Sequence, residues 1–405
     1  MDMDAVIMEL SERYDSFYLY QEAEIRRQIR RLKRAFPSVA FLYSVKCNAN
    51  RQILKTVFEE GLGADAASAG EVLLSRRAGC PDDFIYYSAP GKTPADIEKA
   101  TGEVNLIADS LNEIERIEAA AKRRQITARI GIRIHPASSF DGSPAQPSKF
   151  GIDEEQAMAC LRGNRSSAVQ IAGIHVHLRS QELNAAKLEQ YYRRIMNLAG
   201  RLQKECGLRL DYINMGSGIG IPFSEGDAAL DIEALGRGVE SEIGKFRQVY
   251  PDVRFLIETG RFITGEGGIY VTKVLDRKTS CGKTYLIVKN TLNGFLRPSL
   301  ARLVARYAGE APTAGSEPLF TGVDAFSIRA VKPGPAAETV TVAGNLCTAA
   351  DVIAEDIALP RLDCGDVLTI SNAGAYGASL SPMQFSSQER PAELFLTADG
   401  QVVEG

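Results

Sequence analysis

The sequence predicts an α/β fold: a closed barrel of eight parallel strands wrapped by helices, followed by a β-rich domain. Short β-branched or apolar runs alternate with helical stretches from Phe41 to Glu258. Such alternation implies parallel strands joined by crossover helices. Eight runs occur, the number that closes a (β/α)8, TIM-like barrel in this length of chain. After Gly267 strands follow one another with few long helices between them, the texture of a β-barrel or sandwich. At 405 residues the chain is too long for one small core.

The strand runs fall at 41–45, 63–67, 84–88, 104–108, 128–134, 171–177, 212–215 and 255–258. Between them, apolar residues at helical spacing mark helices over 51–60, 69–78, 111–124, 154–162, 184–206 and 232–249, with an earlier one over 22–36. A doubly wound open sheet is the competitor, but no GxGxxG follows a first strand. In the second domain, strands are expected over 269–275, 284–288, 325–331, 339–343, 367–371 and 393–397, and 17–19 is placed to return and pair with them. The domain boundaries are therefore expected at 22–265 for the barrel, with 1–21 and 266–405 forming the β-rich part. The Gly-, Ala- and Pro-rich stretch 308–318 reads as a loop.

Composition excludes several classes. Apolar residues make up 45% and charged residues 24%, and the formal charge is −4. That balance fits a globular protein and gives no reason to expect a nucleic acid or membrane partner. No apolar run approaches the ~20 residues that span a bilayer. The acidic Met1-Asp2-Met3-Asp4 lacks the features of a signal peptide. Seven scattered cysteines without CxxC pairs point away from both a disulfide framework and a metal site. The cytoplasm is the expected compartment.

In a barrel, reactive side chains collect at the C-terminal ends of the strands, and phosphate binds beside the last two loops. That rule selects Lys46 after the first strand, His177 at the end of the sixth, Gly216-Ser217-Gly218-Ile219-Gly220 after the seventh and Glu258-Thr259-Gly260-Arg261 at the eighth. Lys46 alone is equally compatible with a snorkelling side chain, although a partly desolvated amine at a barrel mouth becomes nucleophilic. The glycines allow close backbone approach to phosphate, but many glycine clusters are only turns. Arg261 suits a phosphate or carboxylate, or a surface ion pair. His135 and His175 read as structural.

Taken in order, these segments resemble the pyridoxal-phosphate (PLP) decarboxylases typified by diaminopimelate and ornithine decarboxylase, whose fold is alanine-racemase-like. Tyr43-Ser44-Val45-Lys46-Cys47-Asn48 is similar to the family's cofactor-lysine motif, and Gly63 to Glu71 to its second-strand motif. Gly173 to Gln181 is similar to the segment whose histidine stacks on the pyridine ring. The glycine loop, Glu258 to Arg261, Leu296 to Leu300, Cys347 to Asp351 and Asn372 to Gly377 complete eight collinear matches. The resemblance implies that Lys46 carries PLP covalently, Glu258 partners the ring nitrogen and His177 stacks on the ring. Ser180, Gly218, Gly220, Gly260, Arg261 and Tyr376 would surround the phosphate, with Asp65, Glu71 and Arg133 orienting lysine and ring. Cys347 would deliver a proton to Cα. It also implies a homodimer in which Cys347 and Tyr376 of one subunit complete the barrel of the other.

The family pattern is broken at three places. A glutamate or aspartate that reads a distal amine is replaced by Thr348; a tyrosine is replaced by Ala301; Arg179 replaces the glycine before Ser180. Arg261 and Arg297, which match a carboxylate clasp, remain, and Thr348, Asp351 and Tyr376 complete the implied substrate pocket. The form Cys-Thr-x-x-Asp is similar to decarboxylases of specialised metabolism, such as those acting on citryl-diaminopropionate in siderophore assembly or on carrier-bound aminoacyl groups. The expected activity is α-decarboxylation of a small-molecule amino acid with a distal carboxylate or bulky group. A meso-diaminopimelate decarboxylase and an amino-acid racemase are the alternatives.

Overall fold

The computed structural model describes residues 2–163, 166–224, 226–308, 321–332 and 337–405. The chain divides into two units, Ile29–Ile219 with Leu230–Gly260, and Met1–Gln28 with Gly220–Ala229 and Arg261–Gly405. The expected loop over 308–318 lies almost wholly outside the described residues.

The first unit is the barrel. Its strands are Val39–Ser44, Gly63–Ala66, Ile85–Ser88, Asn105–Ala108, Ala128–His135, Val169–His175, Tyr212–Asn214 and Arg254–Thr259. Each pairs in parallel with the next, and the eighth closes on the first from Phe255 opposite Val39 to Thr259 opposite Tyr43. The sixth strand ends at His175, so His177 lies two residues beyond it rather than at its end. Side chains supply the signals that start the helices. Asn50, Ser68, Ser110, Asn184 and Asp231 each accept a backbone N–H in the first turn of the following helix, each cap contributing about 1 kcal/mol. The short helix Pro94–Ala100, not expected above, carries a full capping box between Thr93 and Asp96 with proline at its first position.

The barrel interior is layered. Residues two apart on a strand share a face, and the eight strands obey this in step. A lower layer of apolar and glycine positions (42, 63, 86, 107, 131, 173, 212 and 256) is followed two residues later by Ser44, Asp65, Ser88, Asp109, Arg133, His175, Asn214 and Glu258. All eight of the latter are buried. The lower layer is filled by the Tyr212 ring, set edge-on to Tyr86 at 5.2 Å and packed with Leu42, Ile107, Ala172 and Leu256. Glycine is required beside it, because a Cβ at Gly131 or Gly173 would come within 2.3 Å of the Tyr212 side chain.

A buried ion pair braces one side of this unit. The Lys92 side chain is 0% exposed and its ammonium lies 3.0 Å from Glu113, donating also to the carbonyls of Ala89 and Ile107. Glu113 accepts the backbone N–H groups of Lys92 and Asp109 as well. The pair thus joins the ends of the third and fourth strands.

The second unit is a nine-stranded, curled sheet. Its centre is the strand Gly268–Ser280, which pairs antiparallel with Ser16–Gln21 and Val367–Ile370 along its first half and with Lys283–Val288 along its second. A bulge between Val274 and Asp276 separates the halves, the device by which a strand bends. Ser16–Gln21 also pairs with Ala392–Leu396, so the N-terminal segment returns to this sheet as the sequence indicates. Ile7 and Leu10 of the helix Met3–Ser11 pack with Phe17, Leu19, Val271, Val367, Leu394 and Leu396 in its core.

Candidate active site

Lys46 stands on a 3-10 turn, Val45–Cys47, directly after the first strand. Two hydrogen bonds pin this turn: Tyr43 donates to the Asn48 carbonyl at 2.9 Å, and the Asn50 N–H donates to the Asn48 side chain at 3.0 Å. Gly260 is glycine because a Cβ there would meet Cys47 at 2.5 Å. The Lys46 ammonium donates to Asp65 at 2.9 Å, while its side chain stays 44% exposed. Asp65 also accepts from Ser44 at 2.9 Å. Burial pushes the Asp65 carboxyl up, the charge of Glu258 adds to this, and Lys46 opposes it.

Glu258 faces the same interior. Its Oε1 accepts from the Asn214 amide at 2.8 Å and lies 3.2 Å from His175 Nε2. Its Oε2 makes no hydrogen bond among the described residues. Burial alone would raise this carboxyl, but His175, Lys46 and His177 outweigh it and hold Glu258 well below the usual carboxylate range. His175 is held on its other nitrogen by Ser88, at 3.2 Å. His175 is thus a buried neighbour of Glu258. Arg133 lies 3.6 Å from Asp109 and over the Phe150 ring at 4.5 Å, and Asp109 accepts the Gly151 N–H. Glu71 accepts the Ala67 N–H at 2.6 Å, and burial raises its carboxyl.

Above this tier, His177 Nδ1 accepts the Ser217 N–H at 3.0 Å. An acceptor nitrogen is unprotonated, so the ring is neutral with its proton on Nε2; Ser180 Oγ lies 3.5 Å from Nε2. Loss of solvation pushes His177 down to about 3. A free imidazole titrates near 6.5, so between about 3 and about 6.5 the unfolded chain binds a proton that the folded chain refuses. Stability from this residue is present above that window and is lost as the pH falls through it. Urea unfolding of the cofactor-free protein across the window is expected to show a smaller acid loss for His177→Asn than for the parent; equal losses would refute the assignment. The glycine loop wraps the same corner: Gly216, at φ +65°, would place a Cβ 2.3 Å from the Val176 carbonyl, and Gly218, at φ +121°, would press on Leu188. Arg179 lies 3.7 Å from Glu182 and over Phe140 at 5.4 Å, so its charge is engaged by its own surroundings.

The second unit holds its own cluster. Arg261 is buried between Phe223 at 5.6 Å and Tyr376 at 5.0 Å. Arg297 is 0% exposed, stacks on Phe223 and Phe326, and donates to the Ala375 carbonyl at 3.0 Å. It braces the Asn372 to Gly377 loop, in which Tyr376 takes φ +56°. Cys347 is exposed, its sulfur 3.7 Å from Ser386 Oγ. Thr348 Oγ1 accepts the Ala350 N–H within the same turn. Asp351 departs from expectation. Its buried carboxylate takes the Thr291 hydroxyl and the N–H groups of Leu292 and Leu346. With both oxygens used in this way, it anchors the Cys347 turn rather than facing a substrate.

The barrel residues fit PLP. An accessible amine beside a buried carboxylate suits the aldehyde, Glu258 Oε2 would suit a protonated ring nitrogen, and the neutral His177 ring suits a π face. A barrel with this mouth defines an enzyme that works through a covalently held carbonyl cofactor. Residues 22–265 match the pyridoxal binding domain of the pyridoxal-dependent decarboxylases, and the chain belongs to that family. PLP is its cofactor and decarboxylation its chemistry. The L-glutamyl-(BtrI acyl-carrier protein) decarboxylase of Niallia circulans is 32% identical, over 97% of this chain and 92% of that protein. A diaminopimelate decarboxylase of Helicobacter pylori is 30% identical, over 96% and 92%. The crystal structure of the Helicobacter pylori enzyme complexed with L-lysine superposes with a TM-score of 0.82 at 28% identity, covering 96% of this chain and 93% of that one.

Proposed function

We propose that the enzyme removes the α-carboxylate of an amino acid whose distal end is a carboxylate or a bulky group, in siderophore or other specialised-metabolite synthesis in the cytoplasm. The carrying observation is Thr348. Its hydroxyl is turned into its own loop, so this position offers no carboxylate to a distal ammonium. For a substrate with that ammonium the loss is roughly 1.5–3 kcal/mol at a desolvated site. Ala301 in place of a tyrosine leaves room for bulk. The relative that acts on a glutamyl group attached to a carrier protein supports the same reading.

In this mechanism Lys46 would hold the cofactor through its amine. Bound PLP supplies the electron sink for the pair left at Cα when CO2 departs. Glu258 would partner the ring nitrogen, His177 would stack on the ring, and Asp65 with Arg133 would orient lysine and ring. Ser180, Gly218, Gly220, Gly260, Arg261 and Tyr376 would take the phosphate; Arg261, Arg297, Thr348 and Tyr376 would face the substrate. Cys347 returns a proton to Cα. Its exposure supports a homodimer in which Cys347 and Tyr376 of one subunit complete the barrel of the other.

The test is CO2 release by PLP-loaded protein from meso-diaminopimelate, ornithine, lysine, citryl-diaminopropionate and a glutamyl-loaded carrier protein. Turnover of one of the last two above the rest is expected. Preference for meso-diaminopimelate would instead favour a role in lysine formation, a reading that the Helicobacter pylori relative supports. Thr348→Glu is expected to raise kcat/KM for meso-diaminopimelate about tenfold; no gain would defeat the pocket reading.

A further inference from the structure

We propose that His175 is a positioning residue that decides which of the two carboxylates inside the barrel carries the charge, holding Glu258 ionised with Oε2 free to receive the cofactor's ring nitrogen. This rests on the reading that Glu258 partners that nitrogen, and it adds the residue on which Glu258 itself depends.

The geometry carries it. Ser88, His175, Glu258 and Asn214 form one continuous buried chain across four strands, with 3.2 Å between Ser88 Oγ and Nδ1, 3.2 Å between Nε2 and Oε1, and 2.8 Å between Oε1 and the Asn214 amide. All four residues are buried. At 3.2 Å Nε2 keeps its proton on the side facing Glu258, since a bare lone pair there would be repelled, and the pair acts as a charge contact without the alignment of a hydrogen bond. With the proton on Nε2, Nδ1 accepts from the Ser88 hydroxyl in the neutral ring, or donates to it in the charged one; either way Ser88 fixes the ring's tilt. Asn214 is fixed in turn because its carbonyl oxygen accepts the Gly216 N–H at 3.0 Å, while the Gly216 carbonyl accepts the Glu258 N–H at 2.7 Å. The Asn214 donor and the His175 ring both meet Oε1, which leaves Oε2 to the interior.

The charge balance shows why a donor is needed. Glu258 and Asp65 are both buried and each acts on the other. Two like charges in one desolvated site push their ionisations apart. Lys46 contacts Asp65, but that amine would be drawn into the bond that holds the cofactor. His175 contacts Ser88 and Glu258 and holds no cofactor itself, so its support for Glu258 persists through the reaction. Burial raises Asp65, while His175 heads the groups that lower Glu258 against its own burial.

The direct readout is the resonance of the ring nitrogen in protein loaded with nitrogen-15-labelled PLP, which separates a protonated from a neutral pyridine. In the parent it is expected at the protonated position. His175→Leu is expected to move it to the neutral position and to lower kcat about 10- to 100-fold with little change in KM. His175→Gln, which keeps an N–H donor, is expected to restore part of both, and Ser88→Ala to give an intermediate shift. Glu258→Gln separates the two claims. If it leaves the resonance unmoved, the reading of Glu258 fails; if it moves the resonance and His175→Leu, with cofactor bound, does not, only the inference about His175 fails. Loss of cofactor binding in His175→Leu and His175→Gln, with Ser88→Ala unshifted, would also overturn it, making His175 a residue of the fold alone.

Discussion

Lys46→Ala is expected to lose the visible absorbance of covalently bound cofactor and to lower turnover on the order of 10³-fold or more. The amine stands on the turn directly after the first strand, and the exit of that turn is pinned at Asn48 by the Tyr43 hydroxyl and the Asn50 N–H. Its half-exposed side chain sits outside the packed interior, so the variant is expected to fold. Asp65 keeps the Ser44 hydroxyl. Added methylamine is expected to recover a small part of the activity by standing in for the missing amine. Retained absorbance, or unchanged turnover, would remove the foundation of the proposed chemistry.

Glu113→Leu is expected to cost about 3–5 kcal/mol in urea unfolding, because it strands the Lys92 ammonium in a site with no exposure. The same change deprives the Lys92 and Asp109 N–H groups of their acceptor. Burial already lowers the Lys92 pKa against the pull of Glu113, and removing Glu113 lowers it further. Below about 10.4 the unfolded chain then binds more protons than the folded one. Stability of the variant therefore rises with pH, and its deficit shrinks toward alkaline conditions. Adding Lys92→Met is expected to recover most of the loss, since an apolar pair of similar volume needs no counter-charge. A double variant as weak as the single one would show that packing, not the stranded charge, sets the cost.

The eight barrel strands and the helix Leu111–Arg124 were legible because burial and alternation act locally. Other elements were hidden for identifiable reasons. Leu296–Ala308 carries Pro298, which reads as a breaker but is tolerated in a first turn. Val352–Pro360 is interrupted by Asp356 in the left-handed region, which spoils its period. The site divides in the same way. Lys46, His177 and Glu258 follow from their places near strand ends and from the family likeness. Ser88, Asp109, His175 and Asn214 do not, because each is a single polar residue in an apolar run, and only lateral pairing of eight strands brings them level. A signal does exist: in every strand the polar residue stands two positions after an apolar or glycine one. It becomes visible once the strands are aligned by their ends.

The Tyr212 ring, wedged against Gly131 and Gly173, has a consequence for traffic. It fills that level of the barrel with side chain rather than solvent, packed against Leu42, Tyr86, Ile107 and Leu256. Water travelling along the barrel axis from that side toward the buried Asp65 and Glu258 carboxylates would have to displace the ring.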